Sequence, residues 1–307
     1  MIKVFIDGGA GTTGLRIVQR LEKREELSLI RLPEELRKDQ SARRDALNGA
    51  DIAFLCLPDD AAREAVSLVE NPHTAVIDTS TAHRTDPAWV YGFPEIGGRR
   101  EKIRQSKRVA NPGCHASGFI ALVAPLTEEG LLQKGERLSC FSLTGYSGGG
   151  KKMIAEYESP GRDALLDAPR MYGLAQQHKH LKEMQAVCGL ENAPVFCPVV
   201  APYYAGMEVT VPLFASQIKG GKQAAEELYA AYYRDGLVRF QKDAGEAGFL
   251  SAGKTAGRDG MEISVLGNEE RLLLTARFDN LGKGASGAAI QNMNLLLGLD
   301  EKTGLVE

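Results

Sequence analysis

Short apolar runs alternate with amphipathic stretches through the first third of the chain. "IKVFI" stops at a glycine cluster and predicts a strand, while "LRIVQRLEKR" sets Ile17, Val18 and Leu21 on one side at helical spacing. "LSLIRL", "IAFLCLP", "AREAVSLVE" and "AVIDTS" continue as strand, strand, helix, strand. That alternation predicts a parallel sheet joined by crossover helices. From about residue 140 the pattern changes, because "RLSCFSLTGY", "VFCPVVAPYY", "MEVTVPLF", "MEISVLG" and "RLLLTARFDN" are strand-like with few helices between them. A mixed, largely antiparallel sheet is expected there. "KQAAEELYAAYYRD" puts Ala225, Leu228, Tyr229, Tyr232 and Tyr233 on one face and is expected to cover that sheet. "GASGAAIQNMNLLLGL" predicts a small-residue, apolar final helix. The expected fold class is α/β: a doubly wound parallel sheet followed by an α+β domain.

Composition narrows the partners. A chain of 307 residues is long enough for two domains with sizeable cores, and a formal net charge of -3 supplies no large basic surface. Nucleic acid and anionic membrane are therefore not expected as partners, and a small ligand is. No stretch is long enough to span a bilayer and none reads as a signal segment, so a cytoplasmic location is expected. Five scattered cysteines, Cys56, Cys114, Cys140, Cys188 and Cys197, fit neither a disulfide framework nor zinc spacing.

"DGGAGTTG" places Gly8, Gly11 and Gly14, with Thr12 and Thr13 among them, between the first strand and its helix. Glycines there allow a tight turn and bring backbone N–H groups against a pyrophosphate at the positive end of a helix. The cofactor's ribose is read after the second strand, where an NAD site usually presents an acid. Here the strand ends at Arg31, with Arg37, Arg43 and Arg44 downstream, so NADP(H) is expected over NAD(H). The alternative for Arg37, Arg43 and Arg44 is that they only solvate a surface helix.

"NPGCHASG" sets Cys114 where a helix begins, with Phe119, Leu122, Val123 and Leu126 at helical spacing after it. Pro125 is expected to kink or end that helix. A helix N-terminus lowers a thiol by less than about one pKa unit, so a basic neighbour is needed to make the thiolate. His115 lies about 100 degrees around the helix and is expected to point elsewhere. "QHKHLKEM" is the better source: His178 or His180 as the base, with Glu183 on the face of His180 if a helix starts there. Two histidines and a carboxylate are also a candidate metal site, for a metal-dependent hydrolase. Two further stretches suit anions. "TGYSGGGKK" offers Ser147, Gly148 and Lys151, and "DTSTAHR" puts Ser80 and Arg84 at the ligand-binding edge of a parallel strand. Cofactor, thiol and anion sites together point to reduction of an activated acyl group through a thioester; a non-catalytic NADP-sensing protein is the rival reading.

In chain order, "FIDGGAGTTGLRI", "FLCLPDDAA", "DTSTAHRT", "YGFPE", "NPGCHASG", "TGYSGGGKKMI", "QHKHLKEM" and "DNLGKGASGAAIQNMNLLLG" resemble the N-acetyl-gamma-glutamyl-phosphate reductases of arginine biosynthesis, in their shorter form, over essentially the whole chain. One departure is Lys182, where a proline is expected after "HKHL". Aspartate-semialdehyde and glyceraldehyde-phosphate dehydrogenases share the chemistry. The resemblance implies a Rossmann-type NADP-binding domain at 1–113, a catalytic and oligomerisation domain at 114–282, and a final helix at 283–307 that packs back on the first. It implies NADPH-dependent reduction of N-acetyl-L-glutamyl 5-phosphate through a Cys114 thioester, and a homodimer or homotetramer. Pro58, Ser80 and Asn292 join the implied cofactor contacts, with Asn292 under the nicotinamide, and Asn111 joins the substrate contacts.

Overall fold

The structure, a computed structural model, describes residues 1–307. The chain divides into two compact units, Met1–Pro94 with Gly98–Pro112 and Ala285–Leu305, and Glu95–Gly97 with Gly113–Gly284 and Val306–Glu307.

In the first unit the elements are β1 (Ile2–Asp7), α1 (Thr12–Leu21), β2 (Leu27–Ile30), α2 (Gln40–Gly49), β3 (Ile52–Leu55), α3 (Asp59–Ser67), β4 (Ala75–Asp78), β5 (Val90–Tyr91), α4 (Arg99–Gln105) and β6 (Arg108–Ala110). The strands form one parallel sheet in the order β2-β1-β3-β4-β6-β5. Every residue of β3 and β4 is buried, which a parallel sheet needs because helices cover both faces. Alternate strand residues feed two cores. Val4, Ile52, Phe54, Ile77 and Val109 pack with Ile17, Leu21, Ile103 and, from the chain's last helix, Ala289, Ile290 and Met293. Phe5, Ala53, Leu55 and Val76 pack with Ala46, Leu47, Ala65 and Leu68 on the other side. Each buried Leu or Ile contributes about 1.5–3 kcal/mol. Helix α2 has no periodic apolar stripe to announce it; Asp39 starts it by accepting a 2.8 Å bond from the Ala42 amide.

The second unit contributes α5 (Cys114–Glu128), β7 (Ser139–Gly145), α6 (Gly150–Glu158), β8 (Arg170–Met171), α7 (His180–Cys188), β9 (Val195–Ala201), β10 (Met207–Phe214), α8 (Gly221–Tyr232), β11 (Val238–Phe240), β12 (Met261–Gly267) and β13 (Arg271–Phe278); α9 (Gly287–Leu296) closes the first unit. Its sheet runs β11-β12-β13-β10-β7-β9-β8, with β7–β9 and β11–β12 parallel and the other pairs antiparallel. α5 packs on β10 and β13, and α8 on β12. The approach of α5 is close at Gly118, whose missing Cβ would stand 2.5 Å from Val209 Cγ2. On the opposite face, strand alternation and register align Phe141, Val195, Phe214 and Leu273, all exposed. Helix α5 does not stop at Pro125 but runs on to Glu128. Pro125 has no N–H for the Ala121 carbonyl four residues earlier, and the buried Tyr233 hydroxyl donates to that oxygen at 2.6 Å instead.

Candidate active site

α5 opens on Cys114 itself. Gly113 is its N-cap, in extended backbone at φ −79° and ψ 145°, and no side chain caps the helix, so the first-turn amides are left facing the thiol's surroundings. The Gly113 amide donates to Glu183 Oε2 at 3.2 Å, and the other oxygen of the same carboxylate lies 3.8 Å from His180 Nε2. Glu183 is 1% exposed and His180 6%. Both stand on the first turn of α7 at i and i+3, the spacing that brings two side chains together. The carboxylate stands on the Nε2 side of the ring, beyond direct hydrogen-bond reach. His178 precedes the helix and accepts a 3.2 Å bond from the His180 amide on its Nδ1, with the two rings 4.7 Å apart.

His115 does not point away. Its ring is buried between Ser142 Oγ, 2.6 Å from Nδ1, and Tyr172 Oη, 2.6 Å from Nε2, and its centroid is 5.5 Å from that of His180. Burial, aided by His178, lowers its pKa to about 3, so it stays neutral. Tyr172 carries a phenol raised by burial and by the neighbouring Cys114. Neither residue followed from helical spacing alone: His115 is drawn inward because a sheet strand, β7, lies beside the helix with an inward serine. Cys114 itself is half-buried and none of the five cysteines forms a disulfide. No three His, Cys, Asp or Glu side chains converge as metal ligands.

The "TGYSGGGKK" stretch is a single 3-10 turn, Tyr146–Gly149, leading into α6 rather than an open loop. Ser147 is 1% exposed, and its Oγ accepts a 3.0 Å bond from Asn280 Nδ2, which leaves the serine proton to donate. Asn280 is fixed in turn by a 2.9 Å bond from the Gly206 amide to its Oδ1. Gly148 and Lys151 are exposed, Lys151 in the first turn of α6.

The first unit has its own cluster. Gly8, at φ +83°, has no room for a side chain, since a Cβ would fall 2.3 Å from the Cys56 carbonyl; at Gly14 it would fall 2.6 Å from the Gly8 carbonyl. α1 is capped by Gly11 with no side-chain cap, and Thr12 and Thr13 form its half-buried first turn. Pro58, exposed, caps α3 beside this loop's partner strand. Ser80 is spent on Asp78, donating at 2.7 Å, and Arg84 holds the carbonyls of Asn111 at 2.9 Å and Thr79 at 3.1 Å. Asn111 Nδ2 donates to the Ala285 carbonyl at 3.1 Å, and its Oδ1 accepts from Asn292 at 3.2 Å. Arg31 is 67% exposed at its side chain and pairs with Glu22 at 2.5 Å. Arg43 turns inward to Asp7 at 3.0 Å, while Arg44 stays exposed near Glu70. An NAD(P) cofactor fits this unit on two counts: a cradle that any Cβ at Gly8 or Gly14 would fill, and Asn292 Oδ1, an acceptor buried without a partner.

Residues 3–106 match the semialdehyde dehydrogenase NAD binding domain and residues 114–280 the semialdehyde dehydrogenase dimerisation domain. Together with the two sheets, these define an oxidoreductase with an NAD(P)-binding domain and a dimerisation domain. Proteins named N-acetyl-gamma-glutamyl-phosphate reductase from Brucella ovis, Brucella melitensis and Brucella suis are each 47% identical over 307 residues, covering 96% of this chain and 99% of theirs. The chain therefore belongs to the semialdehyde dehydrogenase family, among its N-acetyl-gamma-glutamyl-phosphate reductases. Its fold is also that of aspartate semialdehyde dehydrogenase II from Vibrio cholerae, solved with ASA (TM-score 0.70, 18% identity, 97% and 98% of the two chains). The enzyme of Candida albicans, solved with NADP, is similar at TM-score 0.65 and 14% identity over 97% and 99%. No helix is long and apolar enough to cross a membrane.

Proposed function

We propose that the protein reduces N-acetyl-L-glutamyl 5-phosphate to N-acetyl-L-glutamate 5-semialdehyde with NADPH, releasing phosphate, as a cytoplasmic step of arginine biosynthesis that runs through a thioester on Cys114. The observation that carries this reading is the buried Glu183 carboxylate, with one oxygen on the amide before Cys114 and the other facing His180. It supports a thiol, an imidazole and a carboxylate acting as one set.

His180 takes the thiol proton, and the thiolate attacks the acyl carbon. The C–S bond forms as the C–O bond to phosphate breaks, and phosphate leaves. When bound, the reduced nicotinamide supplies the hydrogen and electron pair that the thioester carbon needs. The first-turn amides of α5 and the protonated His180 face the resulting oxyanion, which expels the thiolate; the sulfur then recovers its proton from His180. His178, whose Nδ1 is engaged by the His180 amide, orients that turn. Ser147, Gly148 and Lys151 are proposed to meet the phosphate or carboxylate, with Arg84 and Asn111 holding the strand end before Cys114. Gly8, Gly11, Thr12, Thr13, Gly14, Pro58, Ser80 and Asn292 are proposed as cofactor contacts, with Arg31 selecting the 2'-phosphate once it exchanges Glu22 for it. The exposed apolar face carrying Phe141, Val195, Phe214 and Leu273, within the region matching a dimerisation domain, is assigned to a second copy in a homodimer or a homotetramer.

The test is the reverse reaction with NADP+, phosphate and a panel of semialdehydes. N-acetylglutamate semialdehyde should be consumed far faster than the others, and consumption of aspartate semialdehyde alone would overturn the substrate. Parallel assays with NAD+ test the cofactor.

A further inference from the structure

Lys283 is wholly buried, and its ammonium lies 2.8 Å from both oxygens of the Glu95 carboxylate, itself buried. Withdrawing two charges from water is expensive, and such pairs are better at specifying one arrangement than at adding stability. Lys283 belongs to a π-helical turn, Gly282–Ser286, a wide turn that is rare and recurs at functional sites. The chain enters it through Asp279, whose main-chain oxygen accepts from the Gly282 amide at 3.1 Å and the Gly284 amide at 3.0 Å. The Asp279 carboxylate accepts from the Leu281 amide at 2.7 Å.

This turn is pressed against the cysteine. A Cβ on Gly284 would stand 3.0 Å from Cys114 Cβ and 3.2 Å from the Asp279 carbonyl. On the other side of the ion pair, the Gly97 amide donates to Tyr232 Oη at 2.8 Å, and that hydroxyl donates to Glu128 at 2.6 Å. Glu128 is the last residue of α5, the helix that begins at Cys114. The three-residue segment Glu95–Gly97 is thus tied to the turn that touches the start of α5 and to the end of α5.

We propose that the Lys283–Glu95 pair is a positioning element for Cys114: it pins the π-helical turn so that Gly284 fixes the cysteine's Cβ and with it the direction of Sγ. The inference rests on Cys114 being the nucleophile, and its test has an arm that needs no substrate. The rate of alkylation of Cys114 by iodoacetamide, followed on the Cys114 peptide by mass spectrometry, is measured in full-length protein across pH 5 to 9, alongside kcat, KM and thermal unfolding. Lys283→Met/Glu95→Leu removes both charges at once. It should remain folded, shift the pH profile of alkylation, and lower kcat by about 10- to 100-fold with little change in KM, the scale expected for a misplaced reacting atom. Lys283→Arg, which keeps the charge, should recover part of both. Gly284→Ala leaves the ion pair in place and should reproduce the alkylation and kcat changes, which keeps the proposal testable if the double variant does not fold. A folded double variant with the parent pH profile and kcat overturns it, as does an inert Gly284→Ala. Altered alkylation in a protein that turns over no acyl phosphate would instead overturn the substrate reading and leave the positioning role standing.

Discussion

α1 and α5 begin alike and end in different chemistry. Each has a glycine N-cap in extended backbone, Gly11 and Gly113, with no side-chain oxygen on its first amides. Most helices place Ser, Thr, Asn or Asp there to satisfy those donors, and replacing such a cap costs about 1 kcal/mol. Every other α-helix here except α2 also lacks a side-chain cap, and an uncapped positive end is open to an anion. The surroundings then diverge. Around α1 the close neighbours are backbone, the carbonyls of Gly8 and Cys56, whereas around α5 they are His180, Glu183 and Tyr172. In the proposed reaction a diphosphate arrives already charged and needs only room and donors, whereas a thiolate must be generated, which takes a base and something to orient the base. Glycine alone suffices at one end and never at the other.

Four experiments bear on that contrast. Cys114→Ala should abolish turnover, a loss of at least about 10³-fold, while NADPH binding measured by fluorescence is unchanged, because the α1 end does not depend on the thiol. His180→Asn should cost about 10²- to 10⁴-fold in kcat and raise the pH midpoint of Cys114 alkylation, with Glu183→Gln giving a smaller effect in the same direction. Gly14→Ala pushes a methyl to within 2.6 Å of the Gly8 carbonyl. It should weaken cofactor binding by about 10- to 100-fold, at an overpacking cost of about 1–3 kcal/mol, and leave alkylation of the cofactor-free protein untouched. If alkylation falls as well, the two helix ends are not independent. Arg31→Ala should raise KM for NADPH about tenfold or less, the scale of one exposed charge–phosphate contact, with NADH scarcely affected.

Acid stability supplies a fifth test. Burial lowers His115 to about 3 from an ordinary 6.5, so between those values the unfolded chain binds a proton that the folded protein does not. Stability at this residue is therefore full above about pH 6.5 and declines as pH falls toward 3, by at most about 1.4 kcal/mol per pH unit. His115→Gln should flatten that part of the pH profile in denaturant unfolding. An unchanged slope would place the acid sensitivity in another group.

Much of this was legible in the chain. The apolar runs of the first third become β1, β2, β3 and β4, and the strand-like segments after residue 140 become β7, β9, β10, β12 and β13, because both signals rest on local periodicity. The spacing of His180 and Glu183 was equally local and survives as an i, i+3 pair on α7. What eluded the sequence depends on partners far along the chain. His115 faces inward because the hydroxyls of Ser142 and Tyr172 meet its two nitrogens, and Tyr172 comes from beside β8, a strand of two residues. Pro125 does not end its helix because Tyr233, more than a hundred residues later, replaces the missing donor. The helix that Gly150 opens, α6, was not signalled by the glycine run before Lys151. Arg43 stood with Arg37 and Arg44 among the arginines downstream of the strand, and only the fold turns it inward onto Asp7.

The helix Gly287–Leu296 is synthesised long after β1, β3 and β4, yet Ala289, Ile290 and Met293 fill the core beneath them. A ribosome that has emitted the residues through Pro112 has therefore made a sheet with one side only partly covered, where Ile77 and Val109, flanked by Ile17 and Leu21 of α1 and Ile103 of α4, wait for a lid well over a hundred residues away. Translation speed and chaperone holding should matter more for the amino-terminal unit than for the carboxy-terminal one, and a nonsense codon anywhere before residue 285 should yield an aggregation-prone nascent product rather than a trimmed, working domain.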